Sequence, residues 1–121
     1  MHRPSKKELF NKLRTAKSAV ATGAVFFLYQ EVIADDAIDL EYDIGNELFD
    51  VLLELLEEAT PDHYAGSSPP QKSYKDDIDG LELFPFAIES QRLGCRVYFK
   101  FAVQEDALWL VSLHKDRPKE G

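Results

Sequence analysis

Residues 94–117, GCRVYFKFAVQEDALWLVSLHKDR, constrain the fold more than any other stretch, because they alternate with a period of two residues. From Cys95 to Val103 the odd positions are Cys95, Val97, Phe99, Phe101 and Val103, and the even ones are Arg96, Tyr98, Lys100 and Ala102. Such alternation marks a half-buried strand. Gln104, Glu105 and Asp106 interrupt the apolar face and read as a turn, after which Ala107–Lys115 supplies a second strand of aliphatic, aromatic and β-branched residues. A three-residue turn sets Val103 opposite Ala107, Phe101 opposite Trp109, Phe99 opposite Val111 and Val97 opposite Leu113, which collects the apolar side chains on one face. The other face then pairs Lys100 with Leu110, Tyr98 with Ser112 and Arg96 with His114. A turn one residue shorter puts Trp109 among Tyr98 and Lys100, so burial favours the longer turn.

With 121 residues and 45% hydrophobic content, the chain is long enough for one globular domain with a core that needs neither disulfides nor metals. Cys95, the single cysteine, falls on the apolar side of a strand and reads as a small buried hydrophobe. The apolar run Ala19–Leu28 is shorter than the roughly 20 residues a membrane span requires. Ser5 and Glu8 mark a folded helix start ahead of that run and no small-residue cleavage site follows it cleanly, so the cytoplasm is the expected compartment. The net charge of −8 counts against nucleic-acid binding, yet it is unevenly spread. Residues 1–17 carry six basic and one acidic side chain, residues 31–62 carry twelve acidic and none basic, and residues 91–121 carry six basic and four acidic.

In chain order, Pro4-Ser5-Lys6-Lys7-Glu8 has the form of a capping box, and Leu9, Leu13, Ala16 and Val20 make a helical stripe that stops at Gly23. Residues 24–40 are ambiguous: AVFFLY suits a short strand and YQEVIADDAIDL a helix, with helix favoured for most of the segment. Asp43 caps a third helix over about residues 44–59, apolar along Ile44, Leu48, Val51, Leu52, Leu55 and Leu56. Its acidic side, Glu47, Asp50, Glu54, Glu57 and Glu58, is read first as a solvated face. Residues 61–79 lack an apolar period, and a loop of that length in a small domain is usually functional or mobile. Residues 81–90 read as a strand whose Pro85 implies an edge or a bulge. The expected fold is therefore α+β: a helical part at 5–60, a loop at 61–79 and antiparallel strands over 81–115, with N-terminal helices packed on one face of a C-terminal β-meander.

His2, His63 and His114 have no metal-ligand spacing with each other or with Cys95, so no metal and no cofactor is expected. No phosphate-binding glycine loop, dinucleotide fingerprint or nucleophile elbow occurs. The polar hairpin face remains as the candidate site. Here the basic helix ending at Gly23, the acidic helical segments, the loop with Asp62 and Tyr64, Val97-Tyr98 and Lys100 in GCRVYFKF, and LWLVS near the end resemble the motility quorum-sensing regulator toxins, a branch of the RelE-like mRNA interferases. The resemblance implies a RelE-like fold, a metal-independent endoribonuclease that cleaves messenger RNA, and a cognate antitoxin protein as partner. It assigns the family's strand tyrosine to Tyr98 and its C-terminal basic residue to His114 or Lys115. Two positions depart from the pattern: Ala65 follows Tyr64 where relatives keep lysine, leaving Lys72 and Lys75 as the nearest substitutes, and the first-strand glutamine has no counterpart.

Metal-free RNA cleavage needs an acceptor for the ribose 2′-hydroxyl proton, a proton for the leaving 5′-oxygen and cations for the phosphorane. Among side chains expected on the polar face, His114 is the acid–base candidate, Tyr98 positions or donates, and Arg96 and Lys100 hold phosphate. Lys115 joins as a catalytic candidate if the strand ends before it, and Lys72, Lys75 and Arg92 are candidates for RNA binding. RNA and an antitoxin are the expected partners, no membrane is, and homo-oligomerisation stays open. Two competing readings take the acidic middle as the functional part: a non-catalytic interaction domain binding protein through residues 31–62, or an antitoxin or immunity protein that mimics nucleic acid.

Overall fold

The computed structural model describes residues 5–67 and 70–116; Pro4 of the capping box, His2, Ser68 and Pro69 of the loop and Arg117 at the hairpin's end lie outside them. Helix α1 spans Lys6–Thr22, with the Ser5 hydroxyl accepting the Glu8 amide at 3.0 Å and Gly23 closing it at φ 78°. That left-handed turn is one glycine adopts without strain. Leu9, Leu13, Ala16, Ala19 and Val20 form its buried stripe.

Residues 24–40 then divide into a short strand and a helix, the helix taking most of the segment as expected. Val25–Phe27 is strand β1, and Gln30–Leu40 is helix α2. The aromatic and β-branched triplet is drawn into the sheet by backbone bonds, Leu108 N–H to the Ala24 carbonyl at 2.9 Å and Leu28 N–H to the Leu110 carbonyl at 3.1 Å. Helix α3 spans Ile44–Glu58; the Asp43 carboxylate accepts the Gly45 amide at 2.9 Å as its cap. The remaining strands are β2 (Phe84–Ser90), β3 (Cys95–Gln104) and β4 (Ala107–Lys115). Three helices followed by a four-stranded sheet of order β1-β4-β3-β2 give the expected α+β arrangement. The meander β2–β3–β4 is antiparallel, and β1 adds a parallel strand beside β4. Pro85 lies on the edge strand β2, where its missing N–H costs no ladder bond.

One core holds the helices to the sheet. Leu9, Leu13, Ile33, Ala37, Leu48, Leu52, Leu55 and Leu56 meet Phe86, Val97, Phe99, Phe101, Leu108, Leu110 and Leu113. Truncating a fully buried phenylalanine such as Phe99 in such a layer costs about 3–5 kcal/mol.

The hairpin turn is shorter than expected. Gln104 pairs with Ala107, leaving a two-residue turn with Glu105 at φ 53°. In this register Trp109 faces Ala102, and Leu108 and Leu110 enter the core opposite Val103 and Phe101. A β-bulge then shifts the ladder between Lys100 and Phe101, so that Lys100 pairs with Ser112, Phe99 with Leu113 and Tyr98 with His114. Val111 is the extra residue. Alternation along β4 therefore changes phase once, which no single register can express.

Segment 61–79 is more ordered than a structureless loop. It contains one-turn helices at Pro61–His63 and Asp76–Ile78, and bridges from Tyr64 to Phe86 and from Lys72 to Glu82. Ile78 and Leu83 pack with Ala102 and Val111, beside Leu28, Leu81 and Trp109, as a second small core. The sheet face expected to be open is thus covered near the turn and polar only at its far end. Among the described residues no helix is long and apolar enough to cross a membrane.

Candidate active site

At that far end, strands β3 and β4 present Tyr98, Lys100, Ser112 and His114 on one face, because the bulge restores even-numbered residues of both strands to the same side. They line a cleft of about 550 Å³ together with Asp36, Asp39, Lys115 and Asp116. The carboxylates of Asp36 and Asp39 come from α2, which lies alongside β4 beyond the end of β1. Its residues Ile33, Ala37 and Leu40 go inward, leaving Asp36 and Asp39 on the flank beside the sheet.

The rings of Tyr98 and His114 stack, with centroids 5.1 Å apart and planes inclined by 20°. His114 Nδ1 is 2.8 Å from the Lys115 carbonyl oxygen, which can only accept, so Nδ1 carries the proton. In the neutral ring Nε2 is then the basic nitrogen. Burial raises the Tyr98 phenol above its ordinary pKa, and the nearby Asp116 carboxylate adds to the rise, so the hydroxyl remains a donor at neutral pH. A neutral O–H and a basic nitrogen are thus presented side by side, and Lys100 stands two ladder positions along the same face.

A smaller hollow of about 160 Å³ shares Tyr98 and Lys100 with the cleft and is walled by Ala65, Gly66, Ser67, Gln71, Leu83 and Pro85. Its wall depends on Gly66. A Cβ there would lie 2.5 Å from the Tyr64 hydroxyl oxygen and 2.8 Å from Pro85 Cδ, so any side chain would push the loop off the sheet edge. The Tyr64 hydroxyl also donates to the Ser67 carbonyl at 2.6 Å.

The other expected site residues lie elsewhere. Arg96 does not face His114: its Nε donates to Asp116 at 2.8 Å, and in the ladder it is opposite Glu89. Lys115 pairs with Val97 in the ladder, yet it is the last residue of β4, is exposed and lines the cleft. Arg92 binds Glu47 at 3.0 Å and Glu54 at 2.5 Å, both on α3. Lys75 Nζ lies 5.5 Å from the centroid of the Tyr29 ring, and Lys72 lines a separate hollow with Lys12 and Phe84. Neither loop lysine lines the cleft or the hollow beside Tyr98.

Sequence reasoning overlooked Asp36, Asp39 and Asp116 as cleft residues. Their spacing against Ile33, Ala37 and Leu40 placed the first two on one helical flank, but only the parallel β1–β4 pairing reveals that this flank borders β4. Among the described residues no group of three His, Cys, Asp or Glu side chains is arranged to hold a metal ion. Compared with known proteins, the chain matches no family model, and no curated protein matches it at a significant level.

Proposed function

We propose that the chain is a metal-independent endoribonuclease of toxin–antitoxin type, acting on RNA in the cytoplasm and held in check by a cognate antitoxin protein. The observation that carries this reading is the stack of His114 on Tyr98, with Nδ1 of His114 tied to a carbonyl and Lys100 two ladder positions away on the same face. His114 Nε2 takes the proton of the ribose 2′-hydroxyl. The 2′-oxygen then bonds to phosphorus, the bond from phosphorus to the 5′-oxygen breaks, and the products are a 2′,3′-cyclic phosphate and a 5′-hydroxyl. The leaving oxygen receives its proton from water while Tyr98 donates a hydrogen bond to it, and Lys100 stabilises the charge on the phosphorane. The resemblance to the RelE-like interferases supports the same reading from the sequence side.

The test is incubation of the purified chain with single-stranded RNA in the presence of a chelator. Cleavage leaving cyclic phosphate ends, lost in His114→Ala, is expected; RNA that stays intact under every condition removes the enzyme.

A second reading is favoured by a different observation. Asp36, Asp39 and Asp116 border the cleft, and Arg92 and Arg96 are engaged with carboxylates rather than turned to solvent for phosphate. On that basis the same scaffold would serve as a catalytically inactive interaction domain that binds protein. Growth arrest on expression alone supports the nuclease; harmless expression supports the interaction domain.

A further inference from the structure

Outside the cleft, the chain carries two surfaces that match one another. The first is a groove of about 470 Å³ between the end of β1, α2 and α3, floored by Phe27, Ala34, Ile44 and Leu48 and edged by Phe49. Its size is that of sites that accept ring-sized groups. Phe49 is 42% exposed, and Ile38, one helical turn beyond Ala34 on the same stripe of α2, is 75% exposed. Every charged residue of the two flanking helices is acidic. Glu47 and Glu54 are neutralised by Arg92, but among the described residues no Lys or Arg forms an ion pair with Glu31, Asp35 or Asp50.

The second surface is the outer side of α1. Phe10 is 55% exposed there, and Lys6, Lys7, Arg14 and Lys17 lie three, four or seven residues from it, so all five share one helical face. Of these cations only Lys6 has an ion-pair partner among the described residues, Asp62 at 3.4 Å. An aromatic side chain held at the centre of a cationic stripe on a helix is the complement of an apolar groove between two helices whose charges are all acidic.

We propose that the groove is occupied by α1 of a second copy of this chain, with Phe10 inserted beside Phe49 and its flanking cations set against Glu31, Asp35 and Asp50. The contact joins two different patches, so a twofold dimer uses it twice and a screw arrangement uses it once per step. It requires nothing of the cleft and holds whether or not the chain cleaves RNA.

The test is sedimentation equilibrium of the full chain over a wide concentration range at low and high salt. Association weakened by salt is expected, and Phe10→Ala or Phe49→Ala should raise the midpoint concentration by roughly tenfold or more. Charge reversal gives the decisive arm. Lys7→Glu with Arg14→Glu should be monomeric alone, Glu31→Lys with Asp50→Lys should be monomeric alone, and an equimolar mixture of the two should associate, since both crossed contacts are again attractive. Circular dichroism confirms that each variant is folded before mixing. A wild-type chain that stays monomeric at millimolar concentration and low salt overturns the proposal. Association that none of these substitutions alters overturns it too. So does a monomer whose groove resonances shift only with a Leu/Lys amphipathic helical peptide, because the groove then belongs to a foreign cationic helix.

Discussion

His114 lies flat on Tyr98, directly across the ladder from it, with ring centroids 5.1 Å apart. This contact separates the two functions of the phenol. Tyr98→Phe keeps the ring beneath the imidazole and removes only the O–H, whereas Tyr98→Ala removes both. If RNA is cleaved here, His114→Ala should lower kcat by roughly 10²–10⁴-fold, the usual worth of a positioned acid–base group. Tyr98→Phe should cost less than Tyr98→Ala. Equal losses in the two tyrosine variants, measured as cleavage rates in chelator, would mean that stacking contributes nothing to placing the base.

Arg96 and the cleft carboxylates predict different responses to substitution. The Arg96–Asp116 pair is exposed on the arginine side, where such pairs contribute little, so Arg96→Ala should leave cleavage within about threefold of wild type. Asp36→Asn and Asp39→Asn remove negative charge from the wall facing Lys100 and His114. RNA should bind more tightly to each, with the largest gain at low ionic strength, where charges near a surface are least screened. Cleavage rates in chelator check the first expectation, and fluorescence titration of a labelled oligonucleotide at several salt concentrations checks the second.

The parts of this fold that were legible in the sequence are those written in local code. Ser5, Gly23 and Asp43 sit where capping chemistry puts them, Pro85 is on an edge strand, and the leucines of α3 face the core. What was hidden is long-range. Whether Val25–Phe27 is strand or helix depends on β4, more than eighty residues later, being available as a parallel neighbour. The hairpin's faces were assigned correctly for Tyr98, Lys100, Ser112 and His114 and incorrectly for Trp109, because a short turn and a bulge each shift the ladder by one residue, and a total shift of two beyond Val111 restores the faces while changing the partners. Arg96 was misplaced for the same reason: the ladder shift carries His114 past it to Tyr98, and Asp116 takes its side chain.

The bulge therefore predicts the result of a single deletion. Without Val111 the ladder becomes regular: Leu110 opposite Phe101 is followed at once by Ser112 opposite Lys100, Leu113 opposite Phe99 and His114 opposite Tyr98, so the cleft residues keep their face and their partners. What is lost is the Val111 side chain, buried with Ile78, Leu83 and Ala102, which is worth about 2 kcal/mol. The deletion should therefore fold and lower the urea midpoint by about as much as Val111→Ala, which removes most of the same side chain. A deletion that fails to fold while Val111→Ala folds would mean that the bulge itself, and not only the register on either side of it, is required.

Tyr42 supplies a pH dependence that is independent of any activity. Its side chain is buried at the junction of α2 and α3, and its hydroxyl has no hydrogen-bond partner among the described residues. Burial, and then the charge of Asp36, push the phenol from 10.0 up to about 12. The unfolded chain thus releases this proton near pH 10 while the folded chain keeps it, so the folded state binds more protons across the interval and stability falls as pH rises through it. Below the unfolded pKa the contribution is complete and constant. Tyr42→Phe removes the titration together with the unpartnered hydroxyl, so at neutral pH it should be neutral or stabilising by up to about 1 kcal/mol. Its advantage over wild type should then widen above pH 10. Asp36→Asn, which leaves the phenol buried but takes away the adjacent charge, should narrow the alkaline loss without abolishing it. Urea midpoints of the three chains at neutral and alkaline pH order these effects, and a constant difference between wild type and Tyr42→Phe across that range would show that the phenol is solvated rather than held neutral by the fold.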